Sequence, residues 1–212
     1  MIKKLAPSAL ALVVGVSAAS AANAGIIENG SFELPEVDGY EFLNPNDVPG
    51  WSSQGPVELW NRVQGSQPSG PDADTGVQYL ELNSTGSGPY SIFQTFDSVV
   101  GTFYEVSFAH AARQESNPLE QLNFYLGDSQ GNGQTNTVVT SGVATWIYAT
   151  FQFMATSTTS MLEFTAINPS TNDTYGNFLD SVTVTDVPEP GTLALLGLGL
   201  AGLGAARRKK MA

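Results

Sequence analysis

His110 and Arg113 follow the alternating run Tyr104-Glu105-Val106-Ser107-Phe108 and could mark a polar site, His110 being the one histidine of the chain. An imidazole works as a general base only beside a nucleophile or a reacting proton. No serine stands beside it in a nucleophile context. The pair therefore reads as a hydrogen-bonded histidine at a strand end and an internal ion-pair partner. Glycoside hydrolysis would need two carboxylates about 5 to 10 Å apart across a cleft. Among 20 acids such a pair is easy to imagine. No short acidic string places two on one face of a strand, so no catalytic residue is assigned. The absence of cysteine removes disulfides, thiolate zinc sites and a thiol nucleophile. A single histidine removes multi-histidine metal sites. Asp72-Ala73-Asp74-Thr75-Gly76 opens like a calcium loop but lacks the continuation and the distal glutamate, and reads as a turn before a strand.

The elements that would position these residues are strands. Apolar residues alternate at period two over 77–82, 92–96, 104–110, 122–126, 146–153, 161–166 and 178–184, separated by clusters of Gly, Pro, Asn, Asp and Ser. The alternation turns Leu122, Phe124, Leu126, Ile147, Ala149, Phe151, Phe153, Leu162, Phe164 and Ala166 inward, with Tyr104, Val106 and Phe108. Trp51 and Phe32 read as core. No stretch between the two ends has a helical period, and the regions 34–50 and 61–76 read as long loops. The fold class is all-β, a β-sandwich.

Charge narrows the partners. Residues 25–186 hold two basic residues, Arg62 and Arg113, no lysine, and all but one of the chain's 20 acids, a net charge of −17. A nucleic acid is excluded, because its phosphates need a basic patch. Cations and neutral ligands are favoured. The basic residues are at the ends instead. Lys3 and Lys4, the apolar Leu5–Val16 and the small-x-small Ala22-Asn23-Ala24 predict a signal peptide over 1–24, cleaved after Ala24. The body, 25–186, has the size of one domain.

At the other end Pro188-Glu189-Pro190 precedes an apolar run from Leu193 to Ala206 and the basic Arg207, Arg208, Lys209 and Lys210. Fourteen residues span roughly 21 Å as a helix, short of a hydrocarbon core of roughly 30 Å, and so make a marginal anchor. The basic cluster would stay cytoplasmic, leaving the body outside. Motif, run and basic tail over 187–212 closely resemble the PEP-CTERM sorting signal of Gram-negative bacteria. That resemblance implies export to the envelope, surface or matrix, transient residence at the inner membrane through the C-terminal hydrophobic sorting helix, and an exosortase-like sorting enzyme as partner.

The body carries a second resemblance. Asn29-Gly30-Ser31-Phe32-Glu33, Pro49-Gly50-Trp51, Val57-Glu58-Leu59-Trp60, Gln78-Tyr79-Leu80-Glu81-Leu82, Ile92-Phe93-Gln94-Thr95-Phe96, the run at Tyr104 and Gly176-Asn177-Phe178-Leu179-Asp180-Ser181-Val182 follow one another. In that order they resemble the galactose-binding-like jelly-roll superfamily, and within it a family of plant cell-wall proteins of unknown function with bacterial relatives carrying varied anchors. The resemblance implies a jelly-roll β-sandwich that binds carbohydrate. It also implies a structural Ca²⁺ held by Glu33 and Asp180, whose hard oxygens suit that ion. The alternative for Asp180 is bonding to backbone amides. The paired cysteines of the plant proteins are missing, and 115–143 is a Gly/Asn/Gln-rich stretch that matches no motif. For polysaccharide, the outward-phased Tyr125, Trp146 and Tyr148 could stack on sugar rings, with Trp60, Arg62 and Tyr90 from loops or strand ends. The same rings could be cross-strand packing pairs. The expected protein is an exported, non-catalytic polysaccharide binder, or else a structural surface or matrix protein without glycan recognition.

Overall fold

One-sided strands bury their apolar faces most simply by stacking two antiparallel sheets. The computed structural model describes residues 26–62, 70–82, 91–113, 120–140, 144–167, 176–188, 197–202 and 207. Among these are eleven strands: β1 (Tyr40–Leu43), β2 (Ser52–Ser53), β3 (Val57–Asn61), β4 (Gln78–Glu81), β5 (Ser91–Asp97), β6 (Phe103–Ala112), β7 (Glu120–Gly127), β8 (Gly133–Thr140), β9 (Ile147–Met154), β10 (Thr159–Ile167) and β11 (Asn177–Asp186). They form a six-stranded sheet, β1-β3-β4-β11-β6-β9, and a five-stranded sheet, β2-β5-β10-β7-β8. The β5–β6, β7–β8 and β9–β10 connections share one end of the sandwich with Asp186, where β11 finishes. Ala112, Ile147, Ile167 and Asn177 lie at the other end.

The faces are those that the alternation assigns. Leu122, Phe124, Leu126, Leu162, Phe164, Ala166, Tyr104, Val106, Phe108, Ala149 and Phe153 are buried between the sheets, with Phe151 packed against them. Phe108 is the hub, its ring centroid 5.3 Å from Phe124 and 4.9 Å from Phe164. Trp51 and Phe32 are core residues as expected, their rings 5.3 Å apart.

All seven expected strands exist, with four more among the described residues. Strand β8 occupies part of the stretch that matched no motif. It is an edge strand bonded only to β7, so Gln, Thr and Asn suffice and no apolar alternation marks it. Strand β1 lies inside the region read as loop, and β2 has only two residues. Strand β3 is buried at Val57, Glu58, Leu59 and Trp60 alike, because a second apolar cluster covers its outer side: Trp60, Tyr79, Ala111 and Phe178, with Ala73 and Trp146 against them. Burial on both faces erases the period-two signal there.

In the tail, residues 197–202 are helical. No helix among the described residues is long and apolar enough to cross a membrane. The expected signal peptide at 1–24, Tyr90, Glu189, Pro190 and Arg208 lie outside the described residues, while Pro188 and Arg207 lie within them.

Candidate functional site

Each sheet presents polar and aromatic side chains on its outer face, and the two faces are built differently. On the six-stranded sheet the register sets Glu58 beside Glu81, both buried. Arg113 Nη1 lies 3.0 and 2.9 Å from the two Glu81 oxygens and 3.9 Å from Glu58 Oε2, with its guanidinium 4.8 Å from the Trp60 ring centroid. Trp60 Nε1 and the Gly176 amide also donate to Glu81, each over 2.9 Å. Burial raises the pKa of both acids and Arg113 opposes it. One guanidinium balances only one of two carboxylates, so the other is driven toward its protonated form. Arg113 is thus the internal ion-pair partner that the sequence predicts.

Over β3, β4 and β11 this face is closed by the turn at 70–78, while Tyr40 and Phe42 at its β1 edge stay 50% and 53% exposed. Trp60 is 3% exposed and stacks with Tyr40, centroids 5.4 Å apart. Trp146 meets the edge of Tyr79 and donates from Nε1 to the Asp72 carbonyl, 2.7 Å. Half-buried Arg62 sits beside the Tyr79 hydroxyl. Among the sequence candidates on this face Tyr148 is exposed, at 63%, its hydroxyl donating to the Asp74 carboxylate. For Trp60 and Trp146 the structure therefore takes the packing alternative.

Glu33 and Asp180 hold that turn. Glu33 Oε1 accepts from the amides of Val77 and Gln78 at 3.0 and 2.9 Å. Asp180 Oδ2 accepts from Asp74 and Thr75 at 2.8 and 3.1 Å, and Oδ1 from Ser181 at 2.6 Å. Gly76, at φ +67°, is needed here because a Cβ would stand 2.2 Å from Glu33 Oε1. Ca²⁺ takes six to eight oxygen ligands. These oxygens face N–H donors instead, and no group of three metal-ligating side chains occurs among the described residues. The arrangement does not fit the implied ion and matches the amide-bonded alternative. Melting curves in Ca²⁺ and in chelator are expected to coincide, whereas Asp180→Ala lowers Tm. A Tm that falls by several degrees in chelator would restore the metal.

His110 is 2% exposed and faces between the sheets; burial lowers its pKa to about 4, so it is neutral. Sequence reasoning overlooked Gly127-Asp128-Ser129-Gln130-Gly131, a Gly-x-Ser-x-Gly string. It is the β7–β8 hairpin turn, with Asp128 Oδ1 accepting from the amides of Gln130 and Asn132 at 2.9 and 3.0 Å. A nucleophile elbow instead joins a strand to a helix, and His110 stands toward the other end of the sandwich. The string is no hydrolase signature.

The outer face of the five-stranded sheet is left partly exposed. Phe93, Glu163 and Tyr125 are directly paired across β5, β10 and β7. Gln121, Asn123 and Thr165 share this face and are, like those three, half-buried. Gly127 and Gly133 face each other across the β7–β8 pair. A Cβ on Gly127 would meet the Tyr125 hydroxyl at 2.4 Å, and one on Gly133 the ring carbon bearing it at 2.7 Å. The phenol thus lies down over two bare glycines, and its hydroxyl donates to the Asp128 carbonyl, 2.7 Å. Burial, with Asp128 and Glu163 near, raises its pKa and keeps that proton in place. Strands are about 4.8 Å apart, which puts Phe93 about 10 Å from Tyr125 with the Glu163 carboxylate between them. The alternation turns Asn123 and Tyr125 outward, and only the strand order makes them neighbours of Phe93 and Glu163. Among the sequence candidates, Tyr125 stands on this face, and Trp60, Arg62, Trp146 and Tyr148 on the other.

Known proteins resemble both the body and the tail. The PEP-CTERM protein-sorting motif matches residues 186–209. Among solved structures, TmCBM61 in complex with β-1,4-galactotriose aligns at a TM-score of 0.54 with 15% identity, over 78% of this chain and all of that one. A CBM4 structure aligns at 0.46, with 17% identity over 76% of this chain and 99% of that one. The CBM22-1 xylan-binding domain of Paenibacillus barcinonensis Xyn10C gives 0.44 and 15%, over 73% and 99%. The first shows that the fold is the carbohydrate-binding-module jelly roll. No curated protein matches the sequence. The family described as "Protein of unknown function (DUF642)" matches residues 25–185, the whole sandwich, and the chain therefore belongs to it.

Proposed function

We propose that this is an exported, non-catalytic protein that binds a neutral polysaccharide across the outer face of its five-stranded sheet, delivered by an exosortase-like enzyme acting on its tail. The observation that carries the reading is Tyr125, laid over Gly127 and Gly133 with its hydroxyl tied down. Such a ring is a preorganised flat surface, and stacking on it costs little further ordering. Glu163, Asn123 and Gln121 supply planar hydrogen-bonding groups beside it, and Phe93 extends the row over roughly two pyranose widths. The shared fold with a galactotriose-binding module and the sorting motif support the reading. A net charge of −17 on the body favours a neutral glycan over an acidic one.

A glycan array with the exported protein tests this. Tyr125→Ala is expected to weaken retention about 30-fold, the effect of losing an aromatic worth about 2 kcal/mol, with Tm little changed. Tyr148→Ala, on the opposite face, is expected to leave retention unaltered. If folded protein retains no glycan, the structural-matrix reading takes its place.

A further inference from the structure

We propose that the β5–β6 tip of the sandwich lies against a zwitterionic phospholipid surface while the protein keeps its tail. The inference rests on the reading of the tail as a membrane-held segment. Val99, Val100, Phe103 and Met154 are 64%, 58%, 51% and 50% exposed. Phe103 and Met154 are paired neighbours, and the two valines stand in the turn just before Phe103. Four large apolar side chains exposed at one end of the sandwich are a cost that a tip surrounded only by solvent would not keep. The turn is rigid. The Val99 amide donates to the Tyr104 hydroxyl at 3.0 Å, Thr102 to the Val99 carbonyl at 3.0 Å, and Gly101 to the Ala155 carbonyl at 2.8 Å.

What lies opposite the tip follows from where the chain leaves the fold. The Val187 amide donates to the Phe103 carbonyl at 2.8 Å, so the chain departs from the tip itself. Leu193, the first residue of the apolar run, is six residues on and no more than about 22 Å away at full extension. A tail in the bilayer therefore holds this end of the sandwich, not the opposite one, at the lipid surface. Exposed Asp97 and Asp186 flank the tip. They match a zwitterionic headgroup better than an anionic one, and with only four apolar side chains the contact is a shallow, interfacial one.

The chain has no cysteine, so single cysteines can be labelled cleanly. Exported protein retaining its tail would carry a fluorophore at Val100→Cys, at Leu198→Cys in the tail, or at Glu41→Cys toward the far end of the sandwich. Each is mixed with vesicles of phosphatidylethanolamine and phosphatidylcholine that contain a headgroup-level quencher. Quenching at 198 and 100 but not at 41 is the expected result. Val99→Ser with Phe103→Ser, both solvent-facing and harmless to packing, should reduce quenching at 100 at least about fivefold and leave 198 unchanged. Quenching at 198 alone overturns the proposal while keeping the tail reading. Quenching at neither position overturns both. A label at 100 that is shielded in cells but not quenched in protein-free vesicles would mean that a protein covers the tip, and also overturns it.

Discussion

Arg113→Met lowers the unfolding free energy by about 3–5 kcal/mol at pH 8, the cost of leaving a buried carboxylate without its cation. That is the expected outcome of urea or thermal unfolding, and in a domain of this size it corresponds to a Tm lower by about 10 °C. Methionine keeps most of the packing over Trp60 and removes the charge that Glu58 and Glu81, side by side, share. The loss shrinks at pH 5, where the acids can take up protons instead of remaining charged. Glu58→Gln and Glu81→Gln added to Arg113→Met should recover a large part of the stability, because a neutral trio of similar volume no longer buries an unpaired charge. A penalty that stays below 1 kcal/mol, or that is independent of pH, would show that Arg113 is a surface cation with no part in holding the sheet's outer face closed.

Stability also falls as pH rises from 5 to 8. Burial raises the pKa of Asp180 to about 7 from an ordinary 3.8, against the three amides that pull it down, and burial raises Glu58 and Glu81 in the same direction. A carboxyl whose folded pKa exceeds its unfolded one binds more protons in the folded state. Its contribution is complete below the unfolded pKa and is lost as pH climbs through the folded one. For Asp180 that window runs from about pH 4 to 7. His110 works the other way: its pKa is lowered to about 4 from 6.5, so its contribution is complete above 6.5 and is lost as pH falls toward 4. Three acids against one histidine leave a net loss on the order of a few kcal/mol between pH 5 and 8. A Tm several degrees higher at pH 5 than at pH 8 is the result to look for. Asp180→Asn should flatten the part of the profile below pH 7. A Tm that rises toward pH 8 would mean that the amides on Asp180 and the guanidinium on Glu81 outweigh burial.

The residues most clearly assigned by sequence are those whose surroundings are local. Leu122, Phe124, Leu126 and their counterparts on β6, β9 and β10 declare their face through alternation alone, because strand geometry turns successive side chains to opposite sides. The sorting motif reads directly, since motif, apolar run and basic end are contiguous in the chain. The same locality explains the failures. Strand β8 has little apolar face to announce it, and β3 is buried on both faces, so neither alternates. Trp60 and Tyr125 look alike as candidate sugar platforms, yet one is sealed under Tyr40 and Arg113 and the other lies open on glycines, a difference set by residues up to 53 positions away. Glu58 and Glu81 become a pair, and Asp180 becomes the clamp of a turn 105 residues distant, only when strands pair. Sequence by itself determined the sandwich, its inward residues, its charge and its tail, all properties of neighbours along the chain. Tertiary structure alone decided which outer face is open and where the tail departs, because strand order brings together groups whose separation in sequence carries no periodic signal.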